Sequence, residues 1–396
     1  MTKKTGLNRP LRLAISQRFL TAYREDFFYE VSQVEDLEVM VFFGDRDAQK
    51  HAKFASTKKE LRFAHRRLKT VSAVFPGFGY LNQLFFSPGI LSAVRRFRPD
   101  VILTEGTSNI ANNLLICPYA WWTRTPYLWW DLGKIRGQHR ENPTRRFLYP
   151  LIRFCYRRAA GIFAYSGYAR DFFVEQGIPP QKIVVSGNTV RVERFFPHLD
   201  AHREGGRRIR KALGFEDKLV FLAVGGMDGG KGFDLLIGAF EELARENDHI
   251  ALMMVGDGDE RPLLEDLADG HPRIHFAGAQ YEKVGDYFAA GNVMVMPGLG
   301  GLAVNEAMAF GLPVIAGPAD GTELDLVIPG KTGFLTGLGD LEGLKHHMRW
   351  CMENPEKAAF LGQNAQDLIR EKYTLAHMVG RLREAITLAA PGQFSG

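Results

Sequence analysis

Two short stretches bring together the residue types that hold a phosphate. The first, GGMDGGKG, runs from Gly225 to Gly232 between an apolar run and a segment of helical period. Glycines in such a loop (Gly225, Gly226, Gly229 and Gly230) let backbone amides approach an anion at a helix start, and Lys231 adds a full cation. The spacing of Gly225, Gly230 and Lys231 nearly fits the nucleotide-binding pattern G-x-x-x-x-G-K-[ST]. Its last position is Gly232, which offers no hydroxyl to magnesium, so the pattern does not read as a metal-dependent triphosphatase. Taken alone, the stretch also suits glycines that merely turn a strand into a helix.

The second stretch, GLGGLAVNE from Gly298 to Glu306, settles which reading to prefer. Gly300 and Gly301 precede a helix expected to begin near Leu302, again an amide-rich start suited to an anion. Glu306 falls about one turn inside that helix, too far in to oppose a phosphate but placed to accept hydrogen bonds from two ribose hydroxyls. One diphosphate between the loops, with its ribose on Glu306, describes a nucleoside diphosphate.

These loops need strands before them and helices after them. Apolar runs suited to buried parallel strands recur at LRLAIS, LEVMVFF, VILTE, YLWW, GIFAY and KIVVSG, then again at LVFLAVG, IALMMVG, IHFAG, VMVMPG and LPVIAG. Segments of helical period separate them, such as DLLIGAFEELARE and KVGDYFAAG. Two alternating series imply an α/β chain with two Rossmann-like, doubly wound domains facing a central cleft. The expected domains are 1–200 and 201–373. The seam is placed at 196–212, where Pro197, Gly205 and Gly206 stand among charges, and a C-terminal helix in 374–396 is expected to pack back towards the first domain.

The two halves differ in charge. Residues 1–200 carry 31 Lys and Arg against 17 Asp and Glu, a net +14, whereas residues 201–396 carry 19 against 28, a net −9. The basic half admits nucleic acid, an anionic membrane surface or a phosphorylated substrate. No recognition-helix, RNP or zinc pattern accompanies it, so nucleic acid is not expected. Phe75, Phe78, Tyr80, Phe85 and Phe86 beside Arg95, Arg96 and Arg98 suggest a surface that rests on anionic lipid between Lys58 and Arg98, or else ordinary amphipathic core faces. Three widely spaced cysteines, Cys117, Cys155 and Cys351, together with no signal-like or membrane-spanning run, point to a reduced cytoplasmic protein, peripheral on the inner face of the plasma membrane if it meets lipid at all. No metal motif is seen.

The chain resembles glycosyltransferase family 4, retaining nucleotide-sugar enzymes of the GT-B fold. The likeness covers nearly all of the second half, through VGGMDGGKGFDLLIGAF, MMVGDGDERPLLEDLA, IHFAGAQ, DYFAAGNVMVMPG, GLAVNEAMAFGLPVIAG and PGKTGFL, and weakens in the first, at YSGYARDFFVEQGIPPQKIVVSGNTVRVERFFP and PYLWWDLGKIR. It implies that Lys231 binds the donor diphosphate and Glu306, ending an E-x7-E motif, the ribose. Gly256, Gly278, Ala279 and Gly298 fall in the matching stretches as further donor-binding positions. Three positions depart from the family. Gly226 stands where an arginine is usual, Gly298 where the first glutamate of E-x7-E is usual, and Leu132 near the place of a first-domain histidine. The loop WWDLGKIR still offers Asp131, Lys134 and Arg136, of which Asp131 and Arg136 join Lys231 as expected catalytic residues.

The resemblance implies transfer of a sugar from a nucleoside diphosphate sugar, UDP before GDP, to a glycan or lipid-linked saccharide in cell-envelope polysaccharide synthesis. The nucleotide sugar is a co-substrate; no cofactor or metal is expected. The departures leave two alternatives, an inactive nucleotide-sugar-binding scaffold and a sugar-nucleotide epimerase of the same fold.

Overall fold

Strands covered on both faces must be apolar throughout, and that is how the sheets are built. The computed structural model describes residues 9–45, 60–74, 83–136 and 143–392, and the chain divides into two units. The first comprises Met1–Gly133, Gln138–Val190 and Leu375–Gly396; the second comprises Lys134–Gly137 and Arg191–Thr374.

The first unit contains β1 (Leu11–Phe19), β2 (Leu37–Gly44), β3 (His65–Leu68), β4 (Val71–Val74), β5 (Gln83–Phe86), β6 (Val101–Glu105), β7 (Tyr127–Asp131), β8 (Gly161–Ala164) and β9 (Ile183–Val185). Seven of them form a parallel sheet in the order β3-β2-β1-β6-β7-β8-β9, and β4 and β5 pair antiparallel apart from it. Strand β3 escapes a search for apolar runs because its sequence is HRRL. It lies at the sheet edge, where exposed Arg66 and Arg67 are tolerated and discourage further pairing.

The helix Leu375–Ala389 contributes Leu375, Met378, Leu382, Ala385 and Ile386 to a core shared with Leu13, Phe27, Phe28 and Trp130. The last helix thus belongs to the first unit, towards which it was expected to pack. Cys117 and Cys155, far apart along the chain, meet side chain to side chain within this unit, and all three cysteines, Cys351 of the second unit included, are buried and free.

The second unit contains β10 (Leu219–Val224), β11 (Ile250–Val255), β12 (Ile274–Gly278), β13 (Val293–Met296), β14 (Val314–Ala316) and β15 (Gly333–Leu335), parallel in the order β12-β11-β10-β13-β14-β15. This is the doubly wound order that reverses direction once, between β10 and β13. Phe221 and Leu222 pair there with Val293 and Met294.

The expected linker at 196–212 is instead mostly helix. Leu199–Leu213 is a 15-residue helix packed on Val284–Ala290. Gly205 and Gly206 read as a chain break, but they are the contact itself. A Cβ on Gly206 would lie 2.8 Å from Ala289 C and Ala290 N, and one on Gly205 2.3 Å from the Asp286 carboxyl carbon. His202 secures the same contact through Nδ1, 2.7 Å from Asp286 Oδ1. The division between units falls at Val190 and Arg191, ten residues before the expected one.

Candidate active site

In an open parallel sheet, ligands bind beyond the carboxyl ends of the strands where the order reverses. In the second unit that point is flanked by the loops after β10 and β13, which are the two glycine stretches. Two strands, β11 and β12, and three crossovers separate these strands along the chain, yet they are neighbours in the sheet.

The loops are knit together by backbone. Leu299 N donates to Gly230 O at 2.7 Å, and the Lys231 ammonium donates to Leu299 O at 2.6 Å. Gly232, at φ +68°, caps the helix Phe233–Glu246 in a left-handed conformation that glycine adopts freely, and faces Pro297 and Gly298. A Cβ on Gly298 would lie 2.2 Å from Gly230 O and 2.6 Å from Lys231 C. The glutamate usual in the family at this position has no room, so the absence of that side chain and the close approach of the loops are one feature. The loop after β11 joins the same cluster. A Cβ on Gly256 would sit 1.8 Å from Gly225 O, and Met227 N donates to Asp257 O at 3.0 Å. Gly256 N in turn donates to Gly278 O at 2.9 Å, which sets Gly278 and the exposed Ala279 at the margin. Gly300 makes ordinary contacts, a side chain on Gly301 would meet open space, and Leu302 caps the helix Ala303–Ala309.

Burial lowers the Lys231 pKa, and the nearby charges of Asp228 and Asp320 oppose that shift only in part. Holding an ammonium in this place is costly without a stronger anion. At Gly226 a Cβ would lie 2.9 Å from Asp228 Oδ2, the end of a rotatable side chain, so lack of space does not account for the missing arginine there.

Glu306 stands on the helix Ala303–Ala309 with its side chain 15% exposed, and its Oε1 accepts from Arg194 Nη2 at 2.6 Å. Burial raises its pKa, and the Arg194 charge and hydrogen bond pull the other way. Sequence reasoning missed Arg194. It lies in the stretch VERFF that carried part of the resemblance, but nothing in its local spacing shows that a residue 112 positions before Glu306 meets it.

The expected first-domain participants are differently engaged. Asp131, at the end of β7, is 6% exposed; its Oδ2 accepts from Thr107 N at 2.5 Å and its Oδ1 from Gly133 N at 2.8 Å. That carboxylate fixes two loops of the first unit. Arg136 groups with the second unit, where its Nη1 donates to buried Glu323 at 2.8 Å and its backbone N to Ala319 O at 2.8 Å. Glu323, not foreseen from sequence, also accepts from Ala319 N and Gly321 N, and so holds Arg136 and the loop after β14 together. Leu132 is half-buried. Among the described residues no group of three or more His, Cys, Asp or Glu is arranged to hold a metal, and no helix is long and apolar enough to cross a membrane.

Two parallel-sheet Rossmann-like units, the second with a lysine on one glycine loop and a part-buried glutamate on the helix that follows the other, have the architecture of the GT-B fold. Residues 206–368 match the family described as glycosyl transferases group 1, and residues 35–189 match the glycosyl transferase 4-like domain. The chain belongs to this group of glycosyltransferases.

Among its relatives, a sulfoquinovosyl transferase of Arabidopsis thaliana is 28% identical over 307 residues, 74% of this chain and 57% of that protein. A GDP-mannose-dependent alpha-mannosyltransferase of Mycobacterium tuberculosis is 30% identical over 264 residues, 64% of each chain. The matches thus span between half and two thirds of these relatives' own length. In structure the chain is similar to HepE of Anabaena, crystallised in complex with UDP. The TM-score is 0.71 at 19% identity, with 95% of this chain and 99% of that one covered, a likeness of fold.

Proposed function

We propose that the chain transfers a sugar, with retention of anomeric configuration, from a nucleoside diphosphate sugar to a hydroxyl of a glycan or lipid-linked saccharide. The observation that carries this is the placement of Lys231 on one of two interlocked glycine loops, and of Glu306 on the helix that follows the other, where the second sheet reverses. As the glycosidic bond breaks, negative charge develops on the departing diphosphate, and the Lys231 ammonium and the loop amides stabilise it without a metal. The acceptor's proton passes to the departing phosphate, so no first-domain histidine is required at Leu132. Arg136 and Asp131 act by positioning, the one through Glu323 and the other through Thr107 and Gly133.

UDP is the first choice of nucleotide and GDP the second; the relatives point both ways, one named for GDP-mannose and one crystallised with UDP. Thermal-shift titration with UDP, GDP, ADP and UMP tests this reading. A ligand at 100 times its dissociation constant adds about 2.7 kcal/mol of stability. A diphosphate, UDP first, is expected to stabilise far more than UMP. Equal effects of UDP and UMP, or none from any diphosphate, overturn the diphosphate site.

Glu306 provides a second check. Its carboxylate accepts the ribose hydroxyls more strongly when ionised, and burial raises its pKa. Nucleotide affinity is therefore expected to fall on acidification while the pH is still above the ordinary glutamate value of 4.5. Glu306→Gln is expected to lose about 1.5–3 kcal/mol of binding and to flatten that pH dependence. Calorimetry across pH measures both; unchanged affinity in the folded variant removes Glu306 from the ribose.

A further inference from the structure

The basic aromatic stretch between Lys58 and Arg98 does not present its described aromatics to solvent. Phe63, Phe85 and Phe97 are buried and Phe86 is half-buried, although Arg95, Arg96 and Arg98 are exposed. Phe75, Phe78 and Tyr80 lie outside the described residues. Apart from Tyr23, the exposed Phe, Tyr and Trp side chains among the described residues of the first unit are elsewhere, on the helices Ile110–Trp122 and Pro143–Arg158.

On the second of these helices Phe147, Leu151 and Phe154 recur at i, i+4 and i+7 and are 84, 39 and 46% exposed. Its opposite face, with Ile152, Cys155 and Tyr156, is buried in the unit's core, so packing fixes the stripe outward. On the first helix Trp121 and Trp122 are 64 and 88% exposed. The Arg158 guanidinium joins the two stripes, 4.4 Å from the Phe154 ring and 5.2 Å from that of Trp121. Arg124, Arg153 and Arg157 are exposed nearby along the same segments.

We propose that this two-helix face docks the protein on the headgroup region of an anionic lipid bilayer. Charge selects the occupant. From Gly106 to Trp130 and from Asn142 to Arg170 the sequence contains no Asp or Glu, so along these two segments every charged residue beside the exposed apolar side chains is a cation. Aromatic rings at the acyl boundary with arginines towards the phosphates is the arrangement such a surface requires. A second copy is a poor occupant, because a two-fold contact sets each patch against itself and would oppose like charges. The inference does not depend on the identity of the nucleotide.

Co-sedimentation of the full chain with vesicles tests it, using phosphatidylcholine alone and phosphatidylcholine with 30% phosphatidylglycerol, at low and high salt. Binding is expected only with the anionic lipid and is expected to weaken steeply with salt, since each cation near the surface contributes about fivefold. Trp122→Ala with Phe147→Ala, and separately Arg153→Glu with Arg158→Glu, should each weaken binding at least tenfold while nucleotide-induced stabilisation stays at the wild-type level. Arg95→Glu with Arg96→Glu, on the helix Ile90–Phe97, should leave vesicle binding unchanged. Equal binding to neutral vesicles, or wild-type binding by both patch variants, overturns the proposal. So does a vesicle-independent dimer, seen by sedimentation, that the patch substitutions dissolve.

Discussion

Lys231→Ala is expected to fold with nearly wild-type stability and to lose a hundredfold or more in turnover. The two halves of this expectation have separate causes. In the folded chain the ammonium is desolvated enough to lower its pKa, and its hydrogen bond is to the Leu299 carbonyl. Removing both the buried charge and the bond leaves terms of about 1 kcal/mol that offset each other. In the proposed reaction the same ammonium meets a diphosphate whose charge grows towards the transition state, and a loss of about 2.7 kcal/mol there is a factor of a hundred.

The lowered pKa adds a test in pH. A deprotonated Lys231 no longer attracts the diphosphate, so nucleotide affinity in the wild type should begin to fall at a pH below the ordinary lysine value of 10.5. Lys231→Ala should abolish that alkaline limb. Thermal melting, donor turnover and binding across pH measure the three effects. Wild-type turnover in the variant would make the glycine loop a structural turn and nothing more.

The second large effect is expected from the smallest substitution. Gly298→Ala places one methyl group 2.2 Å from Gly230 O and 2.6 Å from Lys231 C, contacts with backbone that cannot rotate away. The strain is one of close approach alone, since Gly298 is not among the glycines with positive φ. Relief requires the loops after β10 and β13 to separate, which breaks the Leu299 N to Gly230 O bond and draws the Lys231 ammonium from Leu299 O. Overpacking of this kind costs about 1–3 kcal/mol. A lower melting temperature and weaker donor binding are expected together, in contrast to Lys231→Ala, which should affect binding and turnover alone. Gly301→Ala supplies the control, because a Cβ there meets nothing within 4 Å. If Gly298→Ala binds nucleotide as the wild type does, the interlock is not what positions the donor.

The departure at Gly298 shows how sequence and structure divide the information. Read as a motif it is a missing carboxylate, and reading along the chain does not distinguish a lost residue from an excluded one. The distance to Gly230 does, because it depends on where another loop passes. The same limit applied to Gly205 and Gly206. Glycines among charges suggest a linker, whereas a helix that must approach a neighbour at backbone distance requires the same residues.

What the sequence determined by itself was local. Continuous apolar runs between helical periods identified eleven of the strands, because burial on both faces leaves a strand no polar positions. The glycine spacing around Lys231 and before Glu306 located both loops, because backbone approach to an anion needs small residues wherever the loop lies. Tertiary structure decided every relation between distant segments. It made β10 and β13 neighbours across three crossovers, gave Glu306 its Arg194 partner and committed Asp131 to two backbone amides. It also buried Phe85 and left Phe147 outside. One-dimensional patterning records that a residue is apolar, but which apolar faces are covered depends on the order in which the crossovers lay the strands, and that order is fixed only when the whole unit packs.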